Sequence, residues 1–414
     1  MQTKTNDSIF NIAVLVAALG YFVDIYDLLL FNIVRLESLG DLIHIENIKE
    51  KAELLKSEGE FIISIQMIGL LIGGIFWGVV GDKKGRLSVL FGSIILYSIA
   101  NIVNGFVQNP NQYALVRFVA GIGLAGELGA GITLVSELVS KEKRGLSTSL
   151  VAGIGLTGAV AAYFISLQFN WRTCYFIGGG LGFCLLLLRI SIFESGMYDA
   201  VKKMDIKRGN FLMFFTNKNR FKKYLCAIGI GLPTWYVIGI LLAFSNNFAK
   251  ELGLGEPILP KKATMVAYVA IALADVLIGF VSHWLKSRKK ALFIFYGFTI
   301  IAVILYFMQD ANTSADKMYW ICAFLGFGTG FWALFVTMAA EQFGTNLRST
   351  ATTTAPNMVR GSLPIMLLLF NGLQPSFSYL QAGMITGAIV IAFSFIAAYF
   401  TEETFGKDLD FVEE

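Results

Sequence analysis

Twelve long apolar segments set the pattern of hydrophobic and polar positions along this chain. They cover approximately residues 10–34, 60–80, 87–107, 112–137, 146–168, 172–193, 224–248, 263–284, 290–309, 318–341, 352–373 and 379–400. A helix that crosses a bilayer needs about 20 largely apolar residues, and each segment meets that length. Strands of a membrane barrel would instead alternate in polarity over about ten residues. The pattern therefore predicts an all-α membrane protein with twelve transmembrane helices, which we number in chain order.

The composition of the 414-residue chain agrees with a membrane protein. Hydrophobic residues make up 56% of it and charged residues 15%, with a mean hydropathy of +0.66, whereas soluble domains carry about 25% charge. No GxxxxGK[ST], GxSxG or HExxH motif occurs, which argues against an ATPase or another enzyme. The four cysteines and two histidines have no recognisable ligand spacing, so we expect no metal site and no cofactor.

Lysines and arginines cluster at alternate connections between the predicted helices. They follow helices 2, 4 and 8, and eight of them lie within residues 202–223. Because positively charged loops stay on the cytoplasmic side, we expect both termini in the cytoplasm, most simply at a bacterial inner membrane. The basic stretch 194–223 is then a cytoplasmic linker beside the lipid bilayer, and not a nucleic-acid site.

Two further segments carry expectations of their own. Residues 37–59 form a long outer connection. Their pattern could give a short amphipathic surface helix or a lid, although a solvated loop is the preferred interpretation. The acidic tail, residues 402–414, is expected to be mobile.

A charged pattern is repeated in the two halves of the chain. Glu137 and Arg144 lie seven residues apart, and Glu341 and Arg348 repeat that spacing 204 residues later. The segment GVVGDKKGR (78–86) has a degenerate echo in FVSHWLKSRKK (280–290). A membrane protein built from two related halves is typical of solute transporters.

These motifs resemble those of the major facilitator superfamily over essentially the whole chain. GVVGDKKGR matches the signature G-x-x-x-D-[RK]-x-G-R of that family, with Leu87 where a further basic residue is usual. The resemblance implies two pseudo-symmetric six-helix bundles, residues 1–193 and 224–414, joined by the linker 194–223, in a protein that acts as a monomer.

Helices 1, 4, 10 and 11 look like those of the branch that contains proton symporters of metabolites and organic acids and their sugar-porter relatives. The segments that carry this likeness are GYFVDIYDLLLFNI (20–33), RFVAGIGLAGELGAG (117–131) and AAEQFGTNLRSTATTTAPNMVRG (339–361). Helix 5 lacks the Gly-Pro element of drug/proton antiporters, which weighs against multidrug efflux.

Helix 1 carries two carboxylates inside its apolar run. Asp24 and Asp27 share a face because they lie three residues apart, and a carboxylate in hydrocarbon is costly without water or a partner. Arg117 on helix 4 is the predicted partner. The pair could couple transport to protons, or it could be a static salt bridge between helices 1 and 4. The resemblance favours Asp27, because its Tyr-Asp element aligns with the coupling aspartate of sugar porters.

Glu127 lies ten residues beyond Arg117, which is about 15 Å along a continuous helix. At that spacing both side chains could border one cavity. Glu127 is therefore a candidate second protonatable site or substrate contact, and an internal hydrogen bond to a neighbouring helix is an equal alternative.

Other residues are candidates for substrate binding. Arg360 lies inside helix 11, three residues after Asn357, and could bind a carboxylate, unless it snorkels to the membrane edge. The remaining candidates are polar aromatic residues within helices 1, 7 and 10, namely Tyr26, Trp235, Tyr236 and Trp332. Lipid-interface or core positions are an open alternative for these rings.

The repeated charged residues are predicted to form a gate at the cytoplasmic face. Ion pairs there, and a carboxylate near the start of helix 11, can hold that face closed. The gating set is Gly78, Asp82, Gly85, Arg86, Glu137, Arg144, Glu341 and Arg348, with Asp275 of helix 8 as a further gate or coupling candidate.

Together these features predict a secondary transporter that imports a small organic anion with a proton by alternating access. A carrier of sugars, polyols or other neutral solutes, and an exporter, remain alternatives within the same family. A membrane enzyme, a channel and a non-transporting sensor fit the two-half gate pattern less well.

Overall fold

The structure is a computed structural model that describes residues 12–45, 47–139, 144–189, 210–408 and 411–413. All regular secondary structure within these ranges is helical. Eleven of the helices are long and apolar enough to cross a membrane. The predicted span 352–373 is present as two shorter helices that meet at Ser362, and its first part is rich in threonine. The predicted all-helical membrane fold is confirmed.

Several membrane helices consist of two segments. Helices 1 to 6 are Ile12–Leu42, Ile48–Lys84, Arg86–Asn104, Pro110–Leu124 with Glu127–Leu138, Arg144–Leu156 with Gly158–Gln168, and Trp171–Leu188. Helices 7 to 12 are Lys218–Tyr236 with the π-helix Val237–Leu242, Pro260–Leu285, Arg288–Phe307, Ala315–Gly328 with Trp332–Gln342, Arg348–Gly361 with Leu363–Leu373, and Tyr379–Phe400. Two short helices, Met213–Thr216 and Ser245–Glu251, flank helix 7.

The polarity of the fold is that of a protein surrounded by lipid. Large apolar side chains face outward, including Trp284 (82% exposed) and Leu368 (74% exposed). Charged side chains such as Asp24 and Arg117 are fully buried. Burial of charge inside an apolar perimeter is expected when the surrounding solvent is hydrocarbon, so this is a multi-pass integral membrane protein.

The two halves of the chain meet along paired helices. Helix 2 packs along helix 11, and helix 5 packs along helix 8. Small residues permit this close approach, since a Cβ at Gly78 would lie 3.0 Å from Cα of Thr350. Much of the predicted linker lies outside the described residues, so the domain boundaries at 193 and 224 stay a prediction.

Breaks in helices 4 and 10 expose backbone groups inside the protein. Helix 4 is interrupted at Ala125–Gly126, where Gly126 packs on Ser93 and Trp77. Helix 10 is interrupted between Gly328 and Trp332, and the carboxylate of Asp275 accepts a hydrogen bond from the Ala333 N–H at 3.0 Å. A buried carboxylate at this position satisfies the amide groups that begin the new helical segment.

The preferred interpretation of residues 37–59 as a solvated loop is wrong. Helix 1 continues to Leu42 and helix 2 already begins at Ile48, so only a short connection separates them. The physical reason is the amphipathic pattern of this segment, whose Leu54 and Leu55 pack against the core. Both helices therefore extend further than the apolar pattern alone predicted.

The acidic tail is also ordered where the structure describes it. Thr345 donates its backbone N–H to the Phe411 carbonyl at 2.9 Å. The Glu403 carboxylate accepts hydrogen bonds from the Ser287 hydroxyl and the Arg288 N–H at the start of helix 9. Partial burial opposes ionisation of Glu403, but these hydrogen bonds outweigh it and lower the pKa of that carboxyl. The expectation of a mobile tail is therefore wrong for these residues.

Candidate functional site

A small cavity of about 20 Å³, enough for a single water molecule, lies between the two halves of the chain; we call it the central cavity. Its walls are Tyr21, Ile25, Leu28 and Leu156 from the first half, and Thr234, Trp235, Ile238, Tyr268, Ile271, Trp332 and Arg360 from the second. Every one of these residues is at most 3% exposed, so the cavity is closed at both ends. Since both halves contribute walls, a movement of one half against the other would open it.

Arg360 is the charged residue of the cavity wall, and most of its hydrogen-bonding capacity is unused. It donates one hydrogen bond, from Nη1 to the Asn357 side-chain oxygen at 3.2 Å. Its guanidinium lies 5.5 Å from the Trp332 ring centre, and its Nε has no partner among the described residues. A guanidinium held beside an aromatic ring with free donors is suited to bind an anion.

Asn357 fixes the orientation of this arginine. Its side-chain nitrogen donates to the carbonyl of Ala125 at 2.8 Å and to that of Thr353 at 2.7 Å. The Ala125 carbonyl is available because helix 4 is interrupted there. With its nitrogen held in this way, Asn357 presents its oxygen to Arg360, and so helix 4 of the first half helps to position the cation of the second half.

Asp24 is fully buried one turn below Asp27, on the helix 1 face that also carries Tyr21 and Leu28. Neither oxygen of its carboxylate has a hydrogen-bond partner among the described residues. Arg360 is the cation whose charge acts most strongly on it. Asp24 and Arg360 are therefore a carboxyl group and a cation that belong to different halves of the chain and make no direct salt bridge.

Asp27 has the opposite environment, with Arg117 as its direct partner. Arg117 donates from Nη1 to the Asp27 carboxylate at 2.9 Å, and both side chains are fully buried. The same guanidinium donates to the Asp27 carbonyl at 3.2 Å, to Asn101 at 3.2 Å and to Gln66 at 3.4 Å. All of these groups belong to the first half. The predicted neighbours do meet, and their role in coupling stays a prediction.

Glu127 does not line the central cavity. It begins the second segment of helix 4 and accepts two hydrogen bonds from Arg189, which also donates to the Leu90 carbonyl at 2.9 Å. Gly20 leaves room for this pair, because a Cβ there would overlap both side chains. The interruption of helix 4 removes the continuous helix on which a shared cavity with Arg117 had been expected.

Sequence reasoning missed Arg189. It lies at the end of helix 6, within the predicted span 172–193, and is 1% exposed. The signal was present, since the cost of placing a charge in hydrocarbon that singled out Arg117 applies equally to Arg189.

The aromatic candidates divide into two groups. Trp235 and Trp332 line the central cavity, and their role in substrate binding stays a prediction. Tyr26 instead donates its hydroxyl to the Cys174 carbonyl at 2.8 Å, and Tyr236 donates to the Gly383 carbonyl at 2.9 Å. Neither tyrosine is part of the cavity wall, and each hydroxyl connects helices within one half.

The signature segment joins the two halves at one end of the membrane helices, which we call the motif end. The Asp82 carboxylate accepts hydrogen bonds from the backbone N–H groups of Ser349 at 3.1 Å and Thr350 at 2.8 Å, and from the Thr350 hydroxyl. A carboxylate at this position stabilises the start of helix 11. Arg86 lies 3.4 Å from Asp82 and donates to the Thr345 carbonyl at 3.3 Å.

The backbone conformation of Gly85 explains why the signature has glycine at this position. Its φ of +99° lies in a region that side chains disfavour, and it turns the chain between helices 2 and 3. This turn places Arg86 where it can contact both Asp82 and the second half.

The remaining gating candidates lie within the second half or beyond the described side chains. Glu341 pairs with Arg288 at 3.0 Å and accepts a hydrogen bond from Thr404 at 2.8 Å. Arg348 donates to the Ala340 carbonyl at 3.2 Å. The side chains of Glu137 and Arg144 fall outside the described part of the chain, so their predicted gating role stays a prediction, as does that of Asp275.

Other contacts close the opposite end of the helices. Arg35 of helix 1 donates to the Ala243 carbonyl at 3.0 Å, just after the π-helix of helix 7. Lys261 lies 2.7 Å from Glu37, and Asn371 donates to Glu60 at 3.1 Å. All three contacts join the two halves, so the structure is closed at both ends around the central cavity.

Comparison with known proteins identifies the family. The model of the Major Facilitator Superfamily matches residues 12–365. The niacin transporter NiaP of Acinetobacter baylyi is 26% identical over 86% of this chain and 88% of its own length. The putative niacin/nicotinamide transporter NiaP of Bacillus subtilis is 28% identical over 82% of each chain. The cis,cis-muconate transport protein of Acinetobacter baylyi is 26% identical over 87% of this chain and 86% of its own.

The fold agrees with that assignment. The proton:xylose symporter XylE, bound to 6-bromo-6-deoxy-D-glucose, superimposes with a TM-score of 0.76 over 96% of this chain and 97% of that one. At 17% sequence identity this likeness concerns the fold alone. The chain belongs to the major facilitator superfamily, and it is a membrane transporter that binds a small-molecule substrate and not an enzyme.

Proposed function

We propose that this protein is a proton-coupled symporter that carries a small aromatic or conjugated carboxylate across a bacterial inner membrane. The observation that carries the proposal is Arg360, a buried cation in a closed cavity whose Nε has no partner among the described residues. Its guanidinium lies 5.5 Å from the Trp332 ring centre, and Trp235 and Tyr268 line the same cavity. One fixed positive charge among aromatic rings suits a ligand that has one carboxylate and one planar apolar body.

The central cavity is closed in this structure. At about 20 Å³ it holds a single water molecule, so a substrate would fit only after one half of the chain moves away from the other. The fixed positive charge of Arg360 on its wall favours an anion over a neutral sugar.

The relatives are consistent with this substrate class. Their names describe transport of niacin, of cis,cis-muconate and, in a relative that is 28% identical over 37% of this chain, of benzoate. Each is a small carboxylic acid with a ring or conjugated double bonds. These similarities support an organic acid as the substrate, and the chemistry of Arg360 supplies the physical reason.

Competition for one arginine would couple the substrate to a proton. In the empty cavity, Arg360 is the cation whose charge acts most strongly on Asp24. When a substrate carboxylate binds Arg360, a second ionised carboxylate beside it is costly in a medium of low dielectric constant. Asp24 then takes up a proton, and the loaded cavity carries no excess negative charge. In this mechanism Asp27 stays paired with Arg117.

Alternating access would follow from the contacts between the halves. Release of Asp82 from the start of helix 11 opens the motif end, and release of Arg35 from Ala243 opens the opposite end. With the motif end and both termini in the cytoplasm, as the charge distribution predicts, the opposite end faces outward. The protein is proposed to do this as a monomer.

Proteoliposomes that contain a pH dye test this function. We expect nicotinate or benzoate, added outside, to acidify the lumen faster than in protein-free liposomes, and xylose to have no effect. The difference should disappear in Arg360→Gln and persist in Arg172→Gln, which removes a partly exposed arginine outside the cavity. Acidification with xylose, or acid-driven acidification that survives Arg360→Gln, would contradict the proposal.

A further inference from the structure

A second pocket lies at the opposite end of the helices, apart from the central cavity. It has a volume of about 160 Å³, and we call it the Arg35 pocket. Its walls are Arg35, Leu36, Leu55, Lys56, Phe244, Asn246 and Asn247. Helix 1 relates the two sites, because Arg35 is seven residues, or about 10 Å, beyond Leu28 on the same face. On helix 7, Ile238 of the central cavity lies within the π-helix Val237–Leu242, and Phe244 lies just beyond its end.

Arg35 is a buried cation whose hydrogen bonding is incomplete. It is 4% exposed, and its Nη2 donates to the Ala243 carbonyl at 3.0 Å. Its guanidinium lies 4.8 Å from the Phe244 ring centre. Nε and Nη1 have no hydrogen-bond partner among the described residues. Buried donors without acceptors are costly, so this geometry calls for an acceptor that comes from outside the protein.

Helix 2 provides space and a second positive charge. A Cβ at Gly59 would lie 2.8 Å from Cδ of Arg35, so glycine leaves room for the arginine. Lys56, one turn earlier, lies 5.4 Å from the Tyr379 ring centre. It reaches the pocket only because helix 2 begins at Ile48.

The acids near this pocket do not neutralise both cations. Glu60 is the carboxylate that acts on Arg35, and one of its oxygens already accepts the hydrogen bond from Asn371. Glu251 acts on Tyr379. The wall itself holds two cations and two asparagine amides and has no carboxylate. An amide side chain can present either its oxygen or its nitrogen to a ligand.

We infer that the Arg35 pocket is a second binding site for a small organic carboxylate, occupied before the substrate reaches the central cavity. The choice of a carboxylate rests on the proposed function, whereas the preference for an anion rests on Arg35 and Lys56 alone. Binding there would replace the missing acceptors of Arg35. It would also place the anion against the Arg35–Ala243 contact that closes this end.

A cysteine reporter can measure the charge preference independently of transport. Leu36 lines the pocket and is 43% exposed, so Leu36→Cys should be reachable in detergent once the four native cysteines are changed to alanine. We compare its reaction rates with an anionic and a cationic methanethiosulfonate. Two nearby positive charges should favour the anionic reagent, and the rate ratio should fall roughly tenfold in Arg35→Gln. Lys250→Gln, an exposed lysine at the same end outside the pocket, should leave the ratio unchanged.

Protection of the same cysteine tests the ligand. Benzoate at millimolar concentration should slow the reaction, and chloride at equal ionic strength should not. Protection should be lost in Arg35→Gln but retained in Arg360→Gln, which separates this site from the central cavity. Lys56→Gln should also weaken protection. This variant replaces Arg35→Gln in the experiment if Arg35→Gln does not fold.

Other outcomes would overturn the inference. These are an unchanged rate ratio in both variants, equal protection by chloride, or protection that depends on Arg360 and not on Arg35. If the proteoliposomes show no carboxylate transport but the charge preference is present, the proposed function fails while the anion site stands.

Discussion

Asp24 and Asp27 lie one turn apart on the same helix and both are fully buried, yet only Asp27 has a cation as its direct partner. Asp27 is held by Arg117 at 2.9 Å in a network that includes Asn101 and Gln66. Neither oxygen of Asp24 has a partner among the described residues, and the cation that acts on it most strongly, Arg360, belongs to the other half of the chain.

We therefore expect the two pairs to have different roles. Asp27 and Arg117 stabilise the first half, whereas Asp24 and Arg360 respond to an anion that binds in the central cavity. A buried salt bridge supported by further hydrogen bonds resists change, because breaking it leaves an uncompensated charge. A carboxylate without hydrogen bonds can gain or lose a proton when the charge opposite it changes. The two aspartates are thus expected to respond in opposite ways to the same substitutions.

The largest effect is expected from Arg117→Gln. This change leaves Asp27 buried without its cation, and breaking one partner of a buried pair costs about 3–5 kcal/mol. We expect the midpoint of thermal unfolding in detergent, followed by size-exclusion chromatography, to fall steeply. Adding Asp27→Asn to the same protein should recover part of the loss. If Arg117→Gln is as stable as the parent, the network is not the structural pair described here.

Arg360→Gln should have the reverse profile, with little change in stability and a large loss of transport. Hydrogen bonds to a charged group contribute about 1.5–3 kcal/mol, so the ratio kcat/KM should fall by roughly 10- to 100-fold. Arg360→Lys should retain part of the activity, because it keeps the charge but loses the planar fork of donors. Initial rates of labelled nicotinate uptake measure both. Near-parental uptake by Arg360→Gln would show that the substrate anion binds elsewhere.

Much of this comparison could be predicted from the sequence, because burying a charge in an apolar helix is costly wherever it occurs. That argument identified Asp24, Asp27 and Arg117, and it would have identified Arg189. The sequence likewise predicted a carboxylate near the start of helix 11, since the chemistry of a helix N-terminus is local, but only the structure identifies it as Asp82.

The sequence could not predict which way each helix faces. Trp235 and Tyr236 are neighbours, and only the packing of helix 7 decides that the first lines the cavity while the second contacts helix 12. The break in helix 4 likewise turned Glu127 toward Arg189. Rotations of this kind depend on contacts between distant segments, which one apolar pattern does not encode.

Asp24→Asn and Asp27→Asn distinguish the two carboxylates directly. Asp24→Asn should exchange internal for external substrate but fail to accumulate it against a gradient when a pH difference is applied. Asp27→Asn should still accumulate substrate in the fraction that remains folded. Counterflow and pH-driven uptake, measured in the same proteoliposomes, provide both readouts. The opposite result would assign the proton to Asp27 and Arg117, as the resemblance to sugar porters suggested.

The smallest predicted effect is the pH dependence of binding, and it is also the most specific. If substrate binding takes up one proton at Asp24, mass action makes the dissociation constant increase as the pH rises, by at most about tenfold per pH unit. The constant should level off at low pH, where Asp24 is already protonated before the substrate binds. In Asp24→Asn the dependence should vanish, and in Asp27→Asn it should persist. Calorimetric titration with benzoate in two buffers of different ionisation enthalpy counts the proton directly. If the parent protein takes up no proton on binding, substrate binding is not linked to protonation of Asp24. Arg360 would then bind the anion without coupling it to the proton.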